Sequence, residues 1–115
     1  MIEFADGRSE SVGETRSRVA LWRAGLPTPL LQWEIGADRV DFGWLMRRTV
    51  GEFDGKVKYG RLLRPGQSPG DVVFEEKVRE DRLRATGLTV VRWIWRELDD
   101  FASVAKRIQR AFEYR

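Results

Sequence analysis

Four charged side chains near the middle of the chain have the types and spacing of a site that hydrolyses an ester with a bound cation. Asp41 lies in the segment RVDFGWLM, and Glu52, Asp54 and Lys56 alternate along GEFDGKVKY. Every second side chain of a strand points to the same face, so the last three are predicted to share one side of a strand. Carboxylates on neighbouring strands can chelate one ion, and a lysine beside them can orient or deprotonate an attacking water.

The residue types that the sequence lacks restrict this chemistry further. There is no cysteine and no histidine. Disulfides, thiolate metal sites and cysteine nucleophiles are excluded, and so are the usual general base and the Ser-His-Asp triad. Hydrolysis would depend on carboxylates, lysine, tyrosine, hydroxyls and a metal ion. Carboxylate ligands favour Mg²⁺ or Mn²⁺ over zinc.

Length and composition predict a single soluble globular domain over residues 1–115, with 42% hydrophobic and 34% charged residues. The net charge of +3 suits a nucleic-acid partner without requiring one, because 18 acidic residues are mixed with 21 basic ones. No apolar run reaches the ~20 residues of a membrane span, and the N-terminus lacks the pattern of a signal peptide. We therefore expect no membrane association and a cytoplasmic location.

The elements that must position these residues follow the order α-β-β-β-α-β-α. Segment 11–25 predicts a helix, with Ser11 as N-cap, Glu14 at the capping-box position, and Val12, Val19 and Trp22 near one face. Tight connections between the next three strand-like runs favour an antiparallel meander. These runs are 30–36, 39–46 and 47–59.

The second half of the chain predicts one crossover. A loop-like stretch at 61–70 is followed by a charged helix at 71–87, a buried-looking strand at 88–95 and a final helix at 97–112. A helix between the third and fourth strands allows the last strand to return across the sheet. The fold class predicted is therefore α/β (α+β) with a mixed sheet.

Four segments, which together span nearly all of residues 13–95, carry a family resemblance. They are GETRSRVALWRAGLP, the strand VDFGW, the block GEFDGKVKYGR and the stretch EEKVREDRLRATGLTVVRW. Their order and spacing resemble the PD-(D/E)xK nuclease superfamily, and more closely the Vsr-like (very-short-patch-repair type) endonuclease-like domains of actinobacterial proteins. The resemblance implies a restriction-endonuclease-like α-β-β-β-α-β core with an extra C-terminal helix. It also implies a Mg²⁺- or Mn²⁺-dependent DNA endonuclease, with RNA as another substrate to consider.

The same resemblance implies a site made of Glu14, Asp41, Glu52, Asp54 and Lys56, in which Asp41, Glu52 and Asp54 are metal ligands. Two registers fit the motif. In one, Glu52-x-Asp54 occupies the (Asp/Glu)-x-Lys position and an aspartate replaces the lysine. In the other, Asp54-x-Lys56 fills it and Glu52 is an additional acid. Vsr-like relatives often carry a histidine downstream of Asp-Gly, and its loss here is consistent with either a catalytic or a non-catalytic domain.

Each of these residues has a structural interpretation beside the functional one. Asp-Gly at 54–55 is also a turn dipeptide, and Glu14 is explained equally well by the capping box. The charges of the helix at 71–87 are typical of a solvated face with pairs such as Glu75–Arg79 and Glu80–Arg84. Within the resemblance, Asp81 and Arg84 could instead face the site. Arg92 would either pair a buried acid or contact phosphate.

The alternative to an enzyme is a catalytically degenerate nuclease fold. Domains of this kind often follow an N-terminal winged-helix part in antitoxin-like proteins or transcriptional regulators. The chain would then be a DNA-binding or protein-interaction module, and could be the C-terminal part of a longer protein. The sequence leaves oligomeric state and base specificity open.

Overall fold

A computed structural model of the chain describes residues 11–55 and 69–113. Within these ranges there are three α-helices and one four-stranded mixed sheet, which confirms the predicted α+β class and order of elements. The elements are α1 Val12–Arg23, β1 Leu30–Ile35, β2 Asp38–Trp44, β3 Thr49–Phe53, α2 Pro69–Ala85, β4 Thr89–Trp93 and α3 Ala102–Glu113, with short 3₁₀ helices at Leu45–Arg47 and Trp95–Leu98.

The sheet has the strand order β1-β2-β3-β4. The first three strands form the predicted antiparallel meander, and β4 lies parallel to β3 with Val50 opposite Val90. A parallel neighbour requires a crossover connection, and α2 lies in the segment that makes it. The prediction of one strand returning across a meander is confirmed.

Helices α1 and α3 contribute to the core cluster on one face of the sheet. The indole of Trp93 is fully buried there, and its Nε1 donates a hydrogen bond of 2.8 Å to the hydroxyl of Ser17. The buried positions of α1 are Gly13, Ser17 and Leu21. A Cβ at Gly13 would lie 2.0 Å from the Phe53 ring, so the absence of a side chain allows the close approach.

The face predicted for α1 is therefore wrong in part. Val12 and Trp22 are 70% and 59% exposed, and Val19 is only partly buried. The large apolar residues indicated the wrong face of α1. The helix packs through Gly13, Ser17 and Leu21, which are four positions apart, and the first two of these are small.

Helix α2 packs on the opposite face through Leu83, which is buried against Val40, Val50 and Val90. This contact fixes the rotation of α2 about its own axis. Side chains one turn before Leu83 consequently point towards the sheet. The sheet strands beside this contact carry Asp41 and Glu52.

The third strand is shorter than predicted, since β3 ends at Phe53 rather than near residue 59. The amide of Asp54 still donates a 2.8 Å hydrogen bond to the carbonyl of Trp93, which fixes the backbone just past the strand. Lys56 and the predicted loop up to residue 68 lie outside the described residues. No helix in the described parts of the chain is long and apolar enough to cross a membrane.

Candidate active site

Three adjacent strands place two acidic residues and one basic residue in a row across the sheet. Phe42 pairs with Gly51 across the antiparallel ladder, so the next residues, Asp41 and Glu52, are neighbours. Glu52 in turn pairs with Arg92 of the parallel strand β4. The row runs from Asp41 on β2 through Glu52 on β3 to Arg92 on β4.

The carboxyl group of Asp41 is strongly affected by its position. The pKa of Asp41 is raised from 3.8 to about 7, mainly by burial and also by the nearby carboxylates of Glu14 and Glu52, while the hydrogen bond from the Phe53 amide opposes the shift. That amide lies 2.9 Å from Oδ2 of Asp41. With a pKa of about 7, the Asp41 carboxyl group is protonated in a large fraction of molecules at neutral pH, and a cation bound beside it would favour the charged form.

Glu14 caps α1 and also lies beside Asp41. The hydroxyl of Ser11 accepts a 3.1 Å hydrogen bond from the Glu14 amide, and Oε1 of Glu14 accepts one of 3.2 Å from the Ser11 amide. This is the predicted capping box. The same carboxyl group is also a hydrogen-bonding neighbour of Asp41. Capping and proximity to the site are therefore compatible.

The carboxylate of Glu52 is held by arginines. Arg79 of α2 binds it through two parallel hydrogen bonds, from Nη1 to Oε1 at 2.9 Å and from Nη2 to Oε2 at 2.6 Å. Nη2 of Arg92 lies 3.3 Å from Oε1. Arg79 also donates to the backbone carbonyl of Arg39. The hydrogen bonds that Arg79 donates to Glu52 raise the pKa of Arg79, which keeps this guanidinium charged.

Arg92 has a second acidic neighbour. Its Nε lies 3.2 Å from Oε1 of Glu80, close enough for an ion pair. The alignment does not make a hydrogen bond, and this buried nitrogen has no hydrogen-bond partner. Arg92 therefore pairs with acids, as one of the two sequence interpretations expected.

These side chains line a pocket of about 320 Å³. Glu14, Asp41, Glu52 and Asp54, four of the five predicted site residues, are brought together there, and Lys56 is the one that lies outside the described residues. The remaining lining is Arg39, Phe53, Gly55, Glu76, Arg79 and Arg92.

Sequence reasoning singled out Arg92 but missed Arg79, the basic residue that α2 contributes to this pocket. Arg79 was assigned to a solvated pair with Glu75, but its guanidinium binds Glu52 instead. The two helix residues expected near the site, Asp81 and Arg84, do not line it; they pair with Lys77 and Glu80. The sequence feature that could have indicated Arg79 is its position four residues before Leu83, the buried residue of α2, because this spacing places both on one face of the helix.

Among the described residues, no three acidic side chains converge on a position that would hold a metal ion. The donors present nevertheless suit a hard divalent cation, because they are carboxylate oxygens and such ions are often held by one or two carboxylates. The raised pKa of Asp41 indicates the same need, since a cation would offset the cost of its buried negative charge. The site fits a cation through Asp41 and one further carboxylate.

Comparisons with known proteins identify the fold. No protein-family model matches the sequence. Two uncharacterised proteins of Mycobacterium tuberculosis, from strains CDC 1551 / Oshkosh and ATCC 25618 / H37Rv, are each 32% identical over 96 residues, which is 79% of this chain and 32% of the relative. The chain thus spans about a third of the length of these curated relatives.

The catalytic domain of the homing endonuclease I-Bth0305I is similar in structure. Its TM-score is 0.65 with 18% sequence identity, covering 90% of this chain and 95% of that domain. The chain therefore has a nuclease-like fold.

Proposed function

We propose that this chain is a metal-dependent endonuclease-type domain that hydrolyses phosphodiester bonds of DNA. The observation that carries the proposal is the pocket, in which Asp41, partly buried beside Glu14, shares a lining with Asp54 and three arginines in a nuclease-like fold. Acidic oxygens suit a cation and arginines suit phosphate oxygens. Both classes of group are needed to bind and cut a phosphodiester.

In this proposal Asp41 holds Mg²⁺ or Mn²⁺ together with Glu52, Asp54 or both, and Glu14 supports Asp41 from the start of α1. A bound divalent cation supplies Lewis-acid stabilisation of the charge that develops on the phosphate. Lys56 orients the attacking water, and the guanidinium groups of Arg79 and Arg92 contact phosphate oxygens. The amide of Phe53 fixes the orientation of the Asp41 carboxyl group.

A second candidate function is favoured by the pairing of Glu52. Its carboxylate is already satisfied by Arg79, so the fold is stable without a metal at this position. The chain would then be a degenerate nuclease fold that binds DNA or another protein. Such a module would serve an antitoxin-like regulator, which is the context that the Vsr-like resemblance implies.

Cleavage assays with supercoiled, linear and single-stranded DNA in Mg²⁺ or Mn²⁺ test the enzymatic proposal. We expect cleavage by the unmodified chain, and Asp41→Ala should abolish it while the melting curve stays cooperative. Asp99→Ala is the matched control, since Asp99 is an exposed acid that pairs with Arg16 and does not line this pocket. Absence of cleavage with every DNA form and both metals would refute catalysis and favour the second candidate.

A further inference from the structure

We propose that Glu52 is a positioning residue, not a metal ligand, and that it holds Arg79 and Arg92 as a phosphate-binding platform. This inference rests on the proposed nucleic-acid substrate and assigns a different task to each half of the site. Asp41 and Asp54 belong to the cation half, and the two arginines bind phosphate oxygens of the nucleic-acid backbone.

The first argument is the occupancy of the Glu52 oxygens. Both are bound by the planar fork of Arg79, and Oε1 has Arg92 as a second cationic neighbour. A cation at these oxygens would have to displace a bidentate, charge-assisted interaction and would meet two positive groups. The geometry is that of a carboxylate that orients guanidinium groups.

The second argument is the order of charges across the sheet. Asp41 and Arg92 are on strands separated by β3, which places their backbones about 10 Å apart at the usual strand spacing. Glu52 lies between them in the same row. Asp41 and Arg92 therefore lie at opposite ends of this row, and one substrate could contact both.

The third argument is that Arg79 is held in place by two partners while part of its side chain stays open to solvent. Arg79 has an additional bond to the Arg39 carbonyl, and its side chain is 25% exposed. Arginines fixed in this way lose little side-chain entropy on binding phosphate.

The proposal also decides between the two motif registers. If Glu52 serves the arginines, we assign Asp54 as the motif carboxylate that joins Asp41 at the cation. The register is then Asp54-x-Lys56, with Glu52 as the additional acid.

Two binding measurements on the intact chain test this without requiring cleavage. The first is Mn²⁺ affinity by calorimetry in the absence of DNA. We expect Glu52→Gln to bind Mn²⁺ within about threefold of the unmodified chain, and Asp54→Asn and Asp41→Asn to lose at least about tenfold. A loss in Glu52→Gln as large as that in Asp41→Asn would show that Glu52 is a ligand and overturn the proposal.

The second measurement is affinity for a duplex oligonucleotide in EDTA, as a function of salt. Arg79→Gln should weaken binding about tenfold and reduce the slope of log affinity against log salt by about one. Arg82→Gln is the matched control because it removes the same charge from the same helix and breaks a similar fork, but lies outside the pocket lining. Equal effects of the two variants, or no DNA binding in EDTA by the unmodified chain, would overturn the platform.

The effect of Glu52→Gln on DNA affinity distinguishes a positioning role of Glu52 from a simple effect of its negative charge. The variant should bind DNA more weakly, although it removes a negative charge, because Arg79 and Arg92 lose the carboxylate that orients them. Tighter binding by the variant would contradict the proposal. Arg79→Lys provides a folded alternative if Arg79→Gln is unstable, and it should keep the salt slope but lose affinity. A further outcome is that the unmodified chain binds DNA with the expected dependence on Arg79 and yet neither binds Mn²⁺ nor cleaves DNA. That result would refute the proposed nuclease function and support the phosphate-binding platform.

Discussion

Two arginines of α2 each form a fork with a carboxylate of the sheet, yet their surroundings differ. Arg79 binds Glu52 at 2.9 and 2.6 Å, and Arg82 binds Asp38 at 3.1 and 2.7 Å. The two donors are three residues apart on one helix. The side chain of Arg79 is 25% exposed, whereas that of Arg82 is 54% exposed.

The neighbours of the two forks explain why similar geometry leads to different roles. Glu52 has Asp41 on one side and Arg92 on the other, within a pocket. The two carboxylates are similarly exposed, at 11% for Asp38 and 13% for Glu52, but Asp38 is the first residue of β2 and its arginine is more open to solvent. An ion pair whose arginine is hydrated contributes less than one in which both partners are partly buried. The fork alone therefore does not identify a functional arginine.

The largest effect on stability is expected from Arg79→Met. The variant leaves the partly buried Glu52 without its fork, which should cost about 3 kcal/mol of unfolding free energy. Urea denaturation at neutral pH measures this loss. Arg82→Met is the control and should unfold close to the unmodified chain. Similar losses in the two variants would show that burial does not distinguish the forks.

A smaller effect of opposite sign is expected from Asp41→Asn in EDTA. The folded-state pKa of Asp41 is raised from 3.8 to about 7, so the folded chain binds this proton more tightly than the unfolded chain. The corresponding stability is fully present below 3.8 and is lost as the pH rises towards about 7. Asparagine does not ionise, so the variant should gain on the order of 1–3 kcal/mol at neutral pH.

Melting temperatures measured from acidic to neutral buffer would check this difference. The curves of Asp41→Asn and the unmodified chain should approach each other in acid and separate as the pH rises. Added Mn²⁺ should reduce the separation by stabilising the unmodified chain. Parallel curves over the whole range would contradict the burial of an ionisable Asp41.

The smallest effect belongs to the exposed fork. Hydrogen bonds from Arg82 lower the pKa of Asp38 below its ordinary 3.8, so its stabilising contribution is present above that value and is lost as the pH falls below it. Asp38→Asn should therefore be slightly less stable than the unmodified chain at neutral pH and equal to it in strong acid. The same melting series measures both variants, and a difference that grows in acid would refute the pairing.

Much of the fold was predictable because it depends on local signals. The capping box at Ser11 and Glu14 indicated the start of α1, and the glycine at 87 marked the end of α2. The short connections between strands indicated the meander. Each of these features involves residues close in sequence, whose preferences act before the chain has packed.

The orientation of the helices was less predictable. Charged residues surround α2 on most sides, so its sequence did not indicate which arginine faces the sheet. Leu83 decides this by packing against Val40 and Val50, and Arg79 is then directed at Glu52, 27 residues earlier. In α1, the large residues predicted one buried face, but the helix packs through another face, on which Gly13 and Ser17 are small.

For the candidate site, the sequence by itself determined the available chemistry: oxygen ligands, lysine and arginine, without thiol or imidazole. It also identified Glu14, Asp41, Glu52 and Asp54, which the tertiary structure places around one pocket. Only the tertiary structure decided how these groups are charged and paired. The pKa of Asp41 and the fork on Glu52 depend on burial and on distances between helices and strands far apart in the chain, and those quantities exist only after packing.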